Sequence, residues 1–300
     1  MNDQVEDILV KLGEDAEKTK NCLKLLEEWM QKTDYMPKNY DGRILLPYLR
    51  SCKYNLEKTK RKLENYFITK ATLPDLFLNP NVNRDSVDKV ESVINIGTTN
   101  SLTPDGFRIS FVRFNSNRPV DYNFEDIARY LLFFVQLDHI KGIARLGDIL
   151  VFDVINFVPG FIPMIFHNFL KPLIKLAEDG LPTNIETVLI INGSTVVAKI
   201  INTLKNFVKE KNKHRVHVHT SHTPLLDLFP SDMIPSNYEG TCGKSLEEMF
   251  DEIKTEINSH ADYIKSQEEV RCSSIPKKYA SVSLAGEEMV QGSFRKLEID

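Results

Sequence analysis

The chain has 300 residues, of which 42% are hydrophobic and 27% charged, with a formal net charge of −4. That suffices for one large or two smaller globular domains, and the near-neutral balance excludes nucleic acid as the main partner. The four cysteines, Cys22, Cys52, Cys242 and Cys272, lie far apart with no CxxC pair, which excludes a zinc ribbon and fits free thiols in a reducing compartment.

The opening "MNDQVEDILVKLGED" is acidic and has no apolar signal core, so export is not expected. Residues 1–75 read as helices. Leu23, Leu26 and Met30 fall on one stripe of "AEKTKNCLKLLEEWM". Pro37 and the stretch from Asn39 to Gly42 interrupt the pattern, and a helix resumes at "ILLPYLRSC". An amphipathic helix, "NLEKTKRKLENYFITKA", follows, with Asn55 as N-cap and Pro74 near its stop. Its lysines alternate with Glu57 and Glu64, so its polar side is read as a solvated face, with a basic binding helix as the alternative.

From about residue 90 the pattern changes. "FRISFVRF" (107–114) alternates like a strand, and "FEDIARYLLFFVQLDHIKGIAR" is a helix with a broad apolar face. "DILVFDVI" reads as a strand, "FIPMIFHNFLKPLIKLAEDG" as helical and "ETVLIIN" as a buried strand. "STVVAKIINTLKNFVKEK" reads as an amphipathic helix and "RVHVHT" as a strand. This alternation predicts an α/β domain with a largely parallel sheet covered by helices. The most apolar window, Ile149 to Phe166, is broken by Asp153, Asn156, Pro159 and Pro163, so no membrane span is expected. The last 30 residues read as a tail loosely packed on the surface.

Catalytic motifs are missing: there is no GxGxxG, no GxxxxGK[ST] and no GxSxG. "NGS" (192–194) reads as a strand-to-helix turn. "HRVHVHTSH" (214–222) holds four of the seven histidines. In a strand His217 and His219 would share a face with Arg215, which disfavours a cation. A structural strand is the reading adopted, with a metal-dependent enzyme on His217 and His219 as its alternative. Asp148 and Asp153 point to opposite strand faces and cannot form one acid/base pair. Asp153 is expected to cap the segment after its strand, and Asp148 sits either at the solvent end of the strand or inside a cavity. The apolar excess in 124–142, 149–152 and 195–208 suits a greasy cavity, but composition alone favours an ordinary large core.

Four segments, taken together and in order, resemble the CRAL-TRIO (Sec14-like) lipid-binding family. "LLPYLRSCKYNLEKTKRKLENYF" (45–67) is similar to its N-terminal helix pair, and "GDILVFDV" (147–154) to its "GxxxIxDxxG" strand. "LIINGSTVVAKIINTLKNFVKEKNKHRVHVH" (189–219) is similar to its strand, gate helix and following strand, and "DMIPSNYEG" (232–240) to "xxLPxEYGG". Within the family the resemblance runs to alpha-tocopherol transfer protein-like members of insects, and "GSFRKLEID" resembles their tail.

The resemblance implies an N-terminal helical module (1–75), a lipid-binding α/β domain (90–245) whose mostly parallel sheet encloses a hydrophobic pocket, and a C-terminal helix and tail (246–300). It implies no catalysis, no cofactor and no metal. It further implies a monomeric cytoplasmic carrier that takes one tocopherol, retinoid, carotenoid or other isoprenoid between membranes. The gate would be 195–208, with Val197, Ile200, Ile201 and Leu204 facing the ligand. The rest of the pocket would come from Ile127, Tyr130, Leu131, Phe134, Leu150, Phe152, Leu176, Ile185 and Val188. Of the four basic residues that bind a phosphoinositide headgroup in tocopherol-transfer members, the first pair is replaced by Asn184 and Glu186. The second is retained as Lys211 and Arg215, reinforced by Lys205, Lys209 and Lys213. Anionic membrane is therefore an expected partner. A tethering module that reads membrane charge through 205–215 is the alternative function.

Overall fold

A computed structural model describes residues 2–78, 84–161 and 170–279. The N-terminal part is helical: α1 (Asn2–Leu12), α2 (Ala16–Lys32), α3 (Leu45–Ser51) and α4 (Leu56–Thr72). The Asp15 side chain caps α2 through the Lys18 amide, and that of Asn55 caps α4 through the Lys58 amide at 3.0 Å. Leu26 and Met30 are fully buried against Leu49, Leu63 and Phe67, with Leu23 partly buried beside them.

The polar side of α4 is a solvated face only in its first turns, where Glu57, Lys58 and Arg61 are exposed; farther along it is covered. Lys62 Nζ donates to the Thr183 carbonyl and Lys70 Nζ to that of Gln267. Glu64 accepts from Tyr35, Lys278 and Tyr279. Alternating charges predict solvation only while nothing packs on the helix, and here the start of the fourth strand and the tail both do. The described part of that tail is correspondingly anchored: the Cys272 and Ser273 amides donate to Phe67 and Tyr35 carbonyls. Residues 280–300, with "GSFRKLEID", lie outside the described residues.

The second part begins with α5 (Arg84–Val93) and strand β1 (Ile94–Thr98), which the sequence pattern did not reveal. Then come β2 (Phe107–Phe114), α6 (Phe124–Ile140), β3 (Gly147–Asp153), α7 (Leu170–Asp179), β4 (Ile185–Ile191), α8 (Thr195–Leu204) and β5 (Val216–Val218). Short helix α9 (Pro224–Leu228) leads to α10 (Leu246–Ser259) and α11 (Ala261–Gln267). The sheet order is β1-β2-β3-β4-β5, with β1 antiparallel to β2 and the other pairs parallel. Right-handed crossovers between strands in consecutive order all fall on one side of a sheet. So α6, α7 and α8 share one face, here called the front.

Helix α6 stops at Ile140 rather than continuing to Arg145, because Gly142 turns the chain at φ +67°. The expected helix 194–211 is also shorter. After Leu204 the chain tightens into a 3-10 turn at Lys205–Phe207, and a second turn spans Glu210–Arg215. The Glu178 carboxylate takes the Lys209 amide at 3.2 Å and the Asn212 side chain at 2.6 Å, and so withdraws a donor that a continuing helix needs. Residues 162–169 of the expected helix 161–180 lie outside the described residues.

On the back of the sheet, Ile109, Phe111, Ile149, Val151, Leu189 and Ile191 are buried under Leu225, Met233, Ile234, Tyr238 and Leu246. Gly240 is required in this cover: a Cβ there would lie 1.9 Å from the Ile234 carbonyl oxygen.

Candidate functional site

The register fixes which residues share the front. One row is Ser110, Leu150, Val188 and Val216; the next is Val112, Phe152, Ile190 and Val218. The two faces of central strand β3 differ. Ile149 and Val151 on the back are buried, whereas Leu150 and Phe152 on the front are only half-buried. Val188, Val216 and Val218 are half-buried as well. Apolar side chains on the middle strand of a sheet meet no edge solvent, so their exposure marks a groove over the front face.

Ser194 opens α8 by accepting from the Val197 amide at 3.3 Å, after a left-handed turn at Asn192, as the "NGS" stretch predicts. Val197 and Ile200 are buried, Ile201 and Leu204 half-buried, and Val196 and Phe207 remain 40% and 39% exposed. A side chain at Gly193 would meet Val218 Cγ1 at 3.0 Å, so the start of α8 lies tight against the front face.

The other expected pocket residues divide between groove and core. Leu131 and Phe134 on α6 are half-buried and pack against the same core as Ile127 and Tyr130, whereas Ile185 at the start of β4 is half-buried outside it. Ile127 and Tyr130 are packed in a core with Phe250, Ile253 and Ile257 of α10, where the Tyr130 and Phe250 rings lie 6.1 Å apart. Leu176 packs with Leu181 and the α4 residues. A broad apolar helix face serves two or three neighbours, and periodicity alone does not say which.

The basic stretch is equally divided. Lys211 is exposed. Arg215 turns inward: its guanidinium donates to the Ile185 carbonyl, and its Nε is buried with no partner among the described residues. Lys209 pairs with Asp179, and Lys213 with Glu210 at 2.6 Å. The Asn184 side chain donates to the Leu146 carbonyl at 2.8 Å. A Cβ at Gly147 would lie 2.3 Å from the Asn184 carbonyl oxygen, so only glycine permits this approach.

Asp153 caps the turn after β3, as expected: it accepts from the Ile155 amide, the Asn192 side chain and the Tyr238 hydroxyl. Asp148 is not at a solvent end. Its carboxylate lies 2.8 Å from Arg145 Nε, Arg145 Nη2 lies 2.7 Å from Asp138, and Asp138 also pairs with Arg108. All four side chains are at most 9% exposed. Burial pulls the Asp148 carboxyl upward against the two arginines that lower it. Burial and the neighbouring Arg145 bring Arg108 down to about 10, so it stays charged at neutral pH. His139 beside Arg145 is held neutral, well below its ordinary range, by burial first and then by that arginine. On its outer side the cluster borders a pocket of about 30 Å³ lined by Arg50, Ser51, His139 and Asn184 among others. Sequence reasoning singled out Asp148 but missed Arg108, Asp138 and Arg145. The available signal was two charges, Arg108 and Asp148, at strand positions whose neighbours two residues on, Ser110 and Leu150, face the groove.

Among the described residues no group of His, Cys, Asp and Glu is placed to hold a metal ion. His217 is exposed on β5, while His222 lies 3.7 Å from Glu239. No described helix is long and apolar enough to cross a membrane.

Residues 95–240 match the CRAL/TRIO domain model and 15–87 the model of the Pinta-like UBA domain. The chain belongs to the CRAL/TRIO family. An alpha-tocopherol transfer protein-like protein of Mus musculus is 26% identical over 256 residues, which are 80% of this chain and 71% of that one. A protein of the same description from Homo sapiens is 27% identical over 68% of this chain, which spans only 60% of the human protein. The crystal structure of Sfh5 superposes with a TM-score of 0.53 at 14% identity, covering 79% of this chain and 92% of that one. The helical N-terminal part followed by an α/β domain with a mostly parallel five-stranded sheet is thus the CRAL/TRIO arrangement, a fold of lipid-binding and transfer proteins. Against it, the front groove under α8 takes its place as the candidate lipid site.

Proposed function

We propose that the chain is a non-enzymatic carrier that holds one hydrophobic molecule between the front face and α8 and moves it between membranes. The half-burial of Leu150 and Phe152 on the central strand carries this reading. Leu131, Phe134, Val188, Ile201 and Leu204 complete the contact surface. A tocopherol, retinoid, carotenoid or other isoprenoid is the ligand class. Enclosing such a molecule removes several hundred Å² of apolar surface from water, at roughly 25 cal/mol per Å². For release, α8 swings away at a membrane, where exposed Val196 and Phe207 meet lipid instead of water. The working form is a cytoplasmic monomer with peripheral membrane contact. Native mass spectrometry of protein purified from lipid-containing cells tests the reading. A chain that carries no lipid and takes none from liposomes is not a carrier.

A tethering module is the second reading, supported by the exposure of Lys211 and of the apolar Val196 and Phe207. With Asn184 spent on a backbone contact and Glu186 carrying a negative charge, the attraction is to anionic surface in general rather than to one phosphoinositide. Liposome flotation separates the readings: a tether follows anionic lipid content and never carries a ligand.

A further inference from the structure

The buried ionic cluster meets the groove. On β2 Arg108 shares the front with Ser110, and on β3 Asp148 shares it with Leu150. On α6 Leu131, Phe134 and Asp138 follow one another at helical spacing. All three lines pass from half-buried or small side chains straight into the charges.

The cluster is incompletely satisfied. Arg108 is buried, yet its Nε has no hydrogen-bond partner among the described residues. An unpaired donor beside a charged partner set is costly in an apolar interior. Asp138 is shared between Arg108 and Arg145, and Asp148 takes Arg145. Two arginines face two aspartates and His139 is neutral, while Lys62 and Glu256, of opposite sign, act on the cluster from its surroundings, so it is balanced without a further ion.

We propose that this cluster reads the polar end of the bound molecule: Arg108 Nε–H donates to a neutral oxygen, hydroxyl or carbonyl, at one end of an otherwise apolar ligand. The missing partner is an acceptor because guanidinium has only donors. It is neutral because a carboxylate would add a third negative charge to a balanced buried site. The ligand thereby acquires a direction, with its oxygen at the start of β2 and β3 and its hydrocarbon running along Leu150 and Phe152. The inference rests on the carrier reading.

The test uses the delipidated full chain and two probes: a C20 isoprenoid alcohol and the hydrocarbon of the same skeleton. Bound probe is quantified by mass spectrometry after gel filtration. The wild type is expected to prefer the alcohol by roughly tenfold to a hundredfold, the range for a hydrogen bond to a charged donor. Arg108→Met is expected to erase that preference while leaving hydrocarbon binding in place. Because Arg108→Met leaves Arg145 alone against two carboxylates, Arg108→Met/Asp138→Leu removes both opposed charges and is expected to behave the same way. Equal binding of the two probes by wild type, or a preference that survives in the folded double variant, overturns the inference alone. Binding of neither probe overturns it together with the carrier reading.

Discussion

Lys278 Nζ lies 2.8 Å from Glu64 Oε1, joining the described end of the tail to the middle of α4. The same carboxylate accepts from the Tyr279 hydroxyl at 2.8 Å and from Tyr35. Burial alone would raise this carboxyl, but the three donors hold it below the ordinary glutamate value. Glu64→Leu leaves three donors facing an apolar side chain, and urea denaturation is expected to show a loss of about 1–3 kcal/mol. Lys278→Ala removes only an exposed partner and is expected to lose less than about 1 kcal/mol.

Lys70 supplies a pH dependence. Burial lowers its ammonium from 10.5 to about 8 in the folded chain. Between those values the unfolded chain binds the proton and the folded chain does not, so this term makes stability rise with pH. It is fully present above about 10.5 and lost as pH falls through about 8. Buried tyrosines act in the opposite sense, so the measurement is the difference in Tm between wild type and Lys70→Met. That difference is expected to shift in favour of wild type across the window and to stay level below pH 8.

Ser194→Ala removes the cap of α8. A lost N-cap costs about 1 kcal/mol, which corresponds to roughly fivefold more opening of the helix. Hydrogen exchange at the Val197 to Ile201 amides is expected to accelerate by that factor, with amides of β3 unchanged. If α8 is the gate, ligand uptake from liposomes quickens with it.

The two residues carried over as a membrane-binding pair should separate experimentally. Lys211→Glu reverses an exposed charge, and with roughly 1 kcal/mol per basic residue at an anionic surface its flotation affinity is expected to fall by about tenfold or more. Arg215→Glu breaks an inward contact to Ile185, so a lowered Tm is expected instead. A flotation loss for Arg215→Glu at unchanged Tm would contradict the inward placement.

Periodicity made the central elements legible. β2 falls on 107–114 as its alternation predicts, the Asn55 cap stands where side-chain chemistry puts it, and residues 192–194 form the expected turn from strand to helix. Strand β1 went unseen because "INIGT" is short, holds a glycine and continues an amphipathic helix without a break. The length of the helix read over 194–211 was misjudged because it depends on Glu178, more than 25 residues upstream, competing for the Lys209 amide. In the candidate site, the residues of β3 and α8 were named from the family resemblance, and the strand register places Leu150 and Phe152 on one face of the sheet. Ile127, Tyr130 and Leu176 could not be sorted from them, because their partners lie on α10 and in the N-terminal module. The ionic cluster was legible only as isolated charges, since its pairs join α6, β2 and β3.

The consecutive strand order has a consequence for how such a protein changes over time. Its back face, sealed under the 225–246 cover, holds the fold together and tolerates little: Val151→Ala would leave a cavity. Leu150, Phe152 and Val188 are less completely covered than their neighbours on the back, so replacing them removes fewer contacts on which folding depends. On the carrier reading, preference for one cargo over another can therefore drift on one side of the sheet while the other side keeps the architecture, which suits a fold still shared with Sfh5 at 14% identity.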